Sequence, residues 1–584
     1  MRNFSLLLCV LVGLLVPLTA FAVEYGNIAV SVESPVGTEF THGYAEFRVS
    51  ITNRSLSTAH DVKLTVPGNN YSRETLTVTR TVNVAANSTT QVSLFQPCVA
   101  YMNDGMAVEI DGARQSEVVR ANCLNQRSYY GPFISVLISK SFQEDDFTLE
   151  AKGTSSYNRT FNLHRAESPV AEWSANWLGY SRFDGILLTR DEFDTAPVPV
   201  RTALWRYVEA GGTLTVTGGA IDVPAEWRPY SRKDGAWEVT HVGFGKCFMT
   251  GSRDAPGLIS ETERTILDSW NDSNYPFEQR KDIESANNVF KVVEGVEIPV
   301  RGLFLLMIGF AVLIGPVNLV VLSNWKKRIW ILWTVPLFSF LTCIAVFLYS
   351  AFAEGWNAKA RFEGVTILDE TQHRAVTLGW AAYYATLTPG GGAHYNVDSD
   401  LMPQWGRRGG YRSGVERAVN MDWSRDQHLV FGWVVSRVPS HFAIRKNETR
   451  RERLTVSASD HAGMTVVNGL GAPIRSLYVA REDGIVFSGS DIPAGKEARL
   501  QPTSFTVGAT ARQMDYFRGS FTTDWLGLPG RLTTDRLNFL RHNTYLAELD
   551  GCPFIEKGLD DIETVKAESV VFGIMKRDGE EAKP

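Results

Sequence analysis

The side chains with the most chemical potential follow apolar runs. Asp191, Glu192 and Asp194 come just after Gly185-Ile186-Leu187-Leu188, and the carboxyl end of such a strand is where α/β folds hold ligands. Carboxyls there can act as acid, base or metal ligand in a hydrolase. A plainer role also fits: Asp191 or Asp194 caps a turn or helix start, Glu192 is solvated and Arg190 pairs with a carboxylate. The absence of a nearby histidine favours that plainer role. Thr217, Gly218 and Gly219, at the end of Thr213-Leu214-Thr215-Val216-Thr217, complete the candidate crevice.

Other chemistries lack their residues. The 10 histidines are scattered, with no His-Glu-x-x-His, no Cys-His zinc spacing and no calcium loop. No Walker loop, no Gly-x-Gly-x-x-Gly after a strand and no Gly-x-Ser-x-Gly elbow in the βαβ region occurs. No cofactor or metal is expected. The net charge of -6 comes without a basic block, and Glu448 and Glu452 dilute the short Arg450-Arg451-Glu452-Arg453 cluster into a solvated strand edge, so nucleic acid is not expected as a partner.

Among 6 cysteines, Cys9 lies in the leader and Cys343 in an apolar run. Cys247 sits inside an apolar strand and reads as a buried, inert thiol. Cys98 and Cys123 either form a disulfide, which an oxidising compartment permits, or stay as separate buried thiols.

The elements that must position these residues begin with a leader. Arg2, the apolar run Leu6 to Leu15 and Ala20-Phe21-Ala22 read as a signal peptide over 1–22, with the mature chain starting at Val23. Two later stretches, Leu303 to Ser323 and Ile329 to Phe352, match the length of a membrane-spanning helix. The bridge Asn324-Trp325-Lys326-Lys327-Arg328 forces antiparallel neighbours, and its cations favour the cytoplasmic side. Gly315, Pro316 and Pro336 interrupt the two spans, and Asn318 can donate an amide bond across the hairpin.

Outside the spans the pattern is one of strands. Residues 23–125 contain alternating runs such as Ala45 to Ile51, Val62 to Val66 and Leu76 to Val82, as in an immunoglobulin-like β-sandwich. Residues 130–255 switch to the continuous apolar strand Phe133 to Ile138, then Gly185 to Leu188, then a helix with Val200, Leu204, Tyr207 and Val208 on one face, stopped by Gly211-Gly212. Thr213 to Thr217 and Gly243 to Met249 re-enter the sheet, giving a flavodoxin-like α/β layer. A linker over 256–301 precedes the hairpin (302–323, loop 324–328, 329–352). A second β-rich part spans 356–575, with a glycine-rich loop expected from Gly390 to Arg417 and a tail at 576–584. The fold class expected is therefore multidomain: N-terminal β-sandwich, α/β domain, two transmembrane helices and a C-terminal β-sandwich-rich domain.

The runs FDGILLTRDEF, VRTALWRYVEAGGTLTVTGG and VGFGKCFMTG resemble the class I glutamine amidotransferase-like fold in its non-catalytic, envelope-associated forms. The hairpin, with IGPVNLVVL and WTVP, is similar to that of bacterial membrane proteins joining such a domain to two spans. A working amidotransferase carries a cysteine in the turn after the strand that follows the Gly-Gly helix, and this chain has Thr217-Gly218-Gly219-Ala220 there. The resemblance thus implies a membrane-anchored, non-catalytic binding or scaffold protein in the bacterial inner membrane, its folded parts outside. Its expected partners are the lipid bilayer and envelope or membrane proteins. An envelope hydrolase using the acidic cluster and an accessory subunit of an ABC-type exporter or envelope-assembly complex are the competing expectations.

Overall fold

The computed structural model describes residues 22–36, 42–69, 74–99, 105–120, 133–143, 160–254, 256, 265–270, 283–293, 300–326, 328–354, 357–404, 417–459, 463–507 and 534–576. The leader through Phe21, Cys123, Lys327 and residues 577–584 lie outside them. The architecture is multidomain and β-rich, with two long apolar helices.

Alternation of apolar and polar residues makes the N-terminal strands half-buried ribbons. Val23–Tyr25, Ile28–Glu33, Tyr44–Asn53 and Ser88–Pro97 form one 4-stranded sheet. Facing residues such as Phe47, Val49, Ile51, Val62, Leu64 and Val66 are buried in a common core. The second sheet of this region is not built from N-terminal residues alone. Its 7 strands include His60–Asn69 and Glu74–Val84, and it continues into Arg417–Asp422, Gln427–Phe431 and Ala393–Tyr395 from beyond the hairpin. Arg417–Asp422 runs parallel to Glu74–Val84, pairing Arg417 with Glu74 and Asp422 with Thr79. Thr79 Oγ1 donates to the Asp422 carboxylate at 2.9 Å, and the Trp423 amide donates to the Thr79 carbonyl at 2.8 Å.

Part of the expected loop from Gly390 to Arg417 is therefore strand: Ala393–Tyr395 joins this shared sheet and Ser399–Pro403 edges a larger one. The sequence there has no clear period because each strand is short and Ser399–Pro403 is buried along its whole length.

The continuous apolar runs produce a mixed sheet. Numbered in chain order, Phe133–Ile138, Thr160–Arg165, Gly185–Thr189, Thr213–Thr217 and Gly245–Thr250 are parallel and lie in the order 2-1-3-4-5. Trp237–Val242 and Ser231–Asp234 extend it antiparallel past Gly245–Thr250. The helix Val198–Glu209 buries Val200, Leu204, Tyr207 and Val208 and ends at Gly211, whose φ of 106° suits a residue without Cβ. That face shares its core with Leu214, Val216 and Met249, while Val136, Leu187, Phe248 and Trp270 pack on the opposite face.

The third body is an 11-stranded sheet whose centre pairs Ala358–Asp369 in parallel with Ile562–Ile574. Side chains weld it to the other two. Arg374 and Asn447 both reach Glu209 Oε2, at 3.1 and 2.7 Å. Arg445 holds Asp400 at 2.7 Å and donates to the Ser181 carbonyl at 2.8 Å. The Tyr44 hydroxyl accepts from the Leu401 amide at 3.3 Å and from Gln427 at 2.5 Å. His42 and Asp184, both buried, meet at 2.9 Å. At Gly43, φ 64°, a Cβ would lie 2.5 Å from the Ser181 backbone, so only glycine permits this approach.

Between the flanks, Val300–Val312 and Asn318–Asn324 are joined through a π-helical turn, Leu313–Val317, which absorbs Pro316. Ile331–Glu354 returns, with Pro336 inside it. The windows Met307–Asn324 and Ile331–Leu348 have mean hydropathies of 1.9 and 2.3, and both helices are long and apolar enough to cross a bilayer. Asn318, buried, donates across the hairpin to Thr334 Oγ1 at 2.9 Å.

Two outcomes follow. A fragment ending at Pro299 lacks Arg417–Asp422, so the amides of Glu74 to Thr79 that face that strand are expected to exchange with solvent hydrogen at least tenfold faster than in the full chain; equal protection would show that the sheet closes without the distant strand. Glu370 is buried, accepts from the Leu454 amide at 2.7 Å and from the Tyr545 hydroxyl at 2.9 Å, and burial pushes its carboxyl up to about 7. Below the ordinary carboxyl range it is protonated folded and unfolded alike. Between there and pH 7 the unfolded chain releases the proton and the folded chain keeps it, so stability falls as pH rises. Glu370→Gln keeps both acceptor bonds, and its denaturation midpoint is expected to decline less over that window than the parent's.

Candidate functional site: the carboxyl edge of the parallel sheet

Parallel strands end together, so their following loops share one edge, and the strand order 2-1-3-4-5 reverses between Phe133–Ile138 and Gly185–Thr189. The loops after those two strands carry Ser139, Ser141 and the acidic cluster. Thr189 caps the short helix Arg190–Thr195 by a reciprocal capping box with Glu192.

Glu192 is consequently a structural acceptor. Its Oε2 takes the Thr189 amide at 3.0 Å and the Ser139 hydroxyl at 2.7 Å, while Oε1 takes the Ser141 hydroxyl at 2.7 Å. One carboxylate thus staples the loop after the first strand to the helix start after the third. Asp194 pairs with Arg190 at 3.2 Å on the exposed surface, and Asp191 is exposed. The three carboxyls share one short helix without converging on a common point: one faces the serines, one the arginine and one solvent. Of the plainer roles expected, capping falls to Thr189 rather than to an aspartate, and Glu192 is engaged rather than solvated.

The turn after Thr213–Thr217 is also closed. Gly218 and Gly219 have φ of 84° and 137°, and their amides donate to the carbonyls of Ser252 at 2.6 Å and Thr250 at 2.8 Å. Those are the donors an oxyanion would need at a nucleophile turn. Arg190 lies over Gly219, where a Cβ would sit 3.0 Å from its Cδ and Nη1. Thr217 is buried, and its Oγ1 has no hydrogen-bond partner among the described residues. The crevice residues Glu192, Arg190, Gly218 and Gly219 therefore lie along one sheet edge, where the Glu192 carboxylate and the two glycine amides are already paired.

Elsewhere, Cys247 is fully buried and burial pushes its thiol well up, the inert state its apolar strand predicts. Cys98 is half-buried and Cys123 lies outside the described residues, so the bridge between them remains an expectation. No group of three metal-ligating side chains occurs among the described residues. Ser139 and Ser141 were not singled out from sequence; their only signal is their place immediately after an apolar strand.

Compared with known proteins, the chain matches no family model and no curated protein.

Glu192→Ala removes the acceptor of the Ser139, Ser141 and Thr189 hydroxyls and of the Thr189 amide, and is expected to lower local stability by about 1–3 kcal/mol. Hydrogen exchange at Thr189 and at the 139–142 loop reads this; unchanged protection would mean that the staple carries no weight.

Proposed function

We propose that this chain is a membrane-anchored, non-catalytic binding or scaffold protein of the bacterial cell envelope, with its folded parts on the extracytoplasmic side. The observation that carries the non-catalytic reading is the state of the sheet's carboxyl edge. Glu192 is fully engaged by Ser139, Ser141 and Thr189, and the amides of Gly218 and Gly219 are committed to the 250–252 loop. A hydrolase would need at least one of these groups available to a substrate.

Several features support the rest of the proposal. The strand order 2-1-3-4-5 is that of a flavodoxin-like layer and fits a glutamine amidotransferase-like domain without its cysteine. The paired sheets at the N-terminus fit an immunoglobulin-like sandwich whose second sheet has been extended. Sheet pairing and ion pairs join residues before the hairpin to residues after it, which favours both flanks on one side of a bilayer and a two-span anchor. The leader and the cationic turn favour the extracytoplasmic side for both flanks.

Crosslinking of intact membranes followed by purification of the full chain is expected to recover a specific set of envelope or membrane proteins; recovery of none would overturn the scaffold reading. Reporter fusions after Ser252 and after Lys576 are expected to report the extracytoplasmic side, and a cytoplasmic signal from either would overturn the topology.

A further inference from the structure

The tip of the hairpin has a chemistry that anchoring alone does not require. Trp325, Ile329, Trp330 and Trp333 are 69%, 80%, 56% and 79% exposed, which places three indoles within nine residues of one turn. An indole combines an apolar ring with one N–H donor, which suits the boundary between acyl chains and headgroups. The turn itself reverses at Lys326, whose φ is 55°, and its amide closes on the Ser323 carbonyl at 3.0 Å. Lys326 is exposed and makes no ion pair among the described residues.

Charge then selects the headgroup. Lys327 and Arg328 follow Lys326 directly, and no Asp or Glu occurs from Arg301 to Ala353. The cations at this turn consequently have no acidic residue of their own hairpin to neutralise them. The bond from Asn318 to Thr334, next to Trp333, ties the two helices together on the approach to the turn.

We propose that the hairpin tip, Trp325 to Trp333, is a binding site for anionic phospholipid headgroups. The cations meet the phosphate and any further negative charge, and the tryptophans bracket the glycerol and upper acyl region. The proposal rests on the membrane-anchor reading and goes beyond it by naming the lipid class.

The test uses the full-length chain reconstituted in bilayers containing either brominated phosphatidylglycerol or brominated phosphatidylcholine. Bromine quenches only indoles that touch lipid, so the tryptophans of the folded parts stay bright. Phosphatidylglycerol is expected to quench with at least tenfold preference, narrowed by added salt. Lys326→Gln is expected to reduce that preference about fivefold. Equal quenching by the two lipids overturns the headgroup site while leaving the anchor intact. An unchanged preference in Lys326→Gln overturns its assignment to the tip. Quenching by neither lipid overturns both this site and the membrane anchor.

Discussion

The parallel pairing of Glu74–Val84 with Arg417–Asp422 is the constraint on which the rest depends. A strand edge left open exposes a row of unsatisfied amides and carbonyls, and here that edge is covered by a segment from the far side of the apolar hairpin. Covering it brings Trp423 against Phe95, with ring centroids 5.4 Å apart, and brings Gln427 to the Tyr44 hydroxyl. Those contacts sit beside the Arg445, Asp400 and Ser181 junction, so the α/β layer is held by the same seam. The helices between the flanks therefore leave and re-enter parts of the chain that are joined to each other by sheet pairing and side-chain bonds.

The same economy governs the sheet's carboxyl edge. In α/β proteins this edge is where backbone donors and side chains are left for a ligand. Here loops are stitched to one another instead: Glu192 joins the loops after the first and third strands, and the Gly218-Gly219 turn is joined to the loop after the last parallel strand. Rigidity at this edge comes at the expense of reactive groups. Arg190 above Gly219 and the exposed Asp191 are what the edge presents outward.

Much of this was legible in the residues. The apolar runs Phe133 to Ile138, Gly185 to Leu188 and Thr213 to Thr217 are strands, and Val198–Glu209 is the helix that its apolar spacing predicts. Both apolar helices stand where length and hydropathy place them, and Asn318 does donate across the hairpin. What periodicity could not show is which strand lies beside which. Alternation marks a buried face in Leu76 to Val82, but it carries no information about a partner in residues 417–422. The acidic cluster was located correctly at a strand end, whereas its roles depended on Ser139 and Ser141, which approach only through sheet pairing between strands about 50 residues apart.

The shared sheet also sets a clock on biogenesis. About 330 residues separate the end of Glu74–Val84 from the start of Arg417–Asp422. At a synthesis rate of roughly 5–20 residues per second, the N-terminal edge waits on the order of 20–70 s for its mate. During that interval the two long apolar helices are also synthesised. Until that strand is made, the open edge is a site for pairing with other chains, the hazard that transiently unpaired strand edges carry during synthesis.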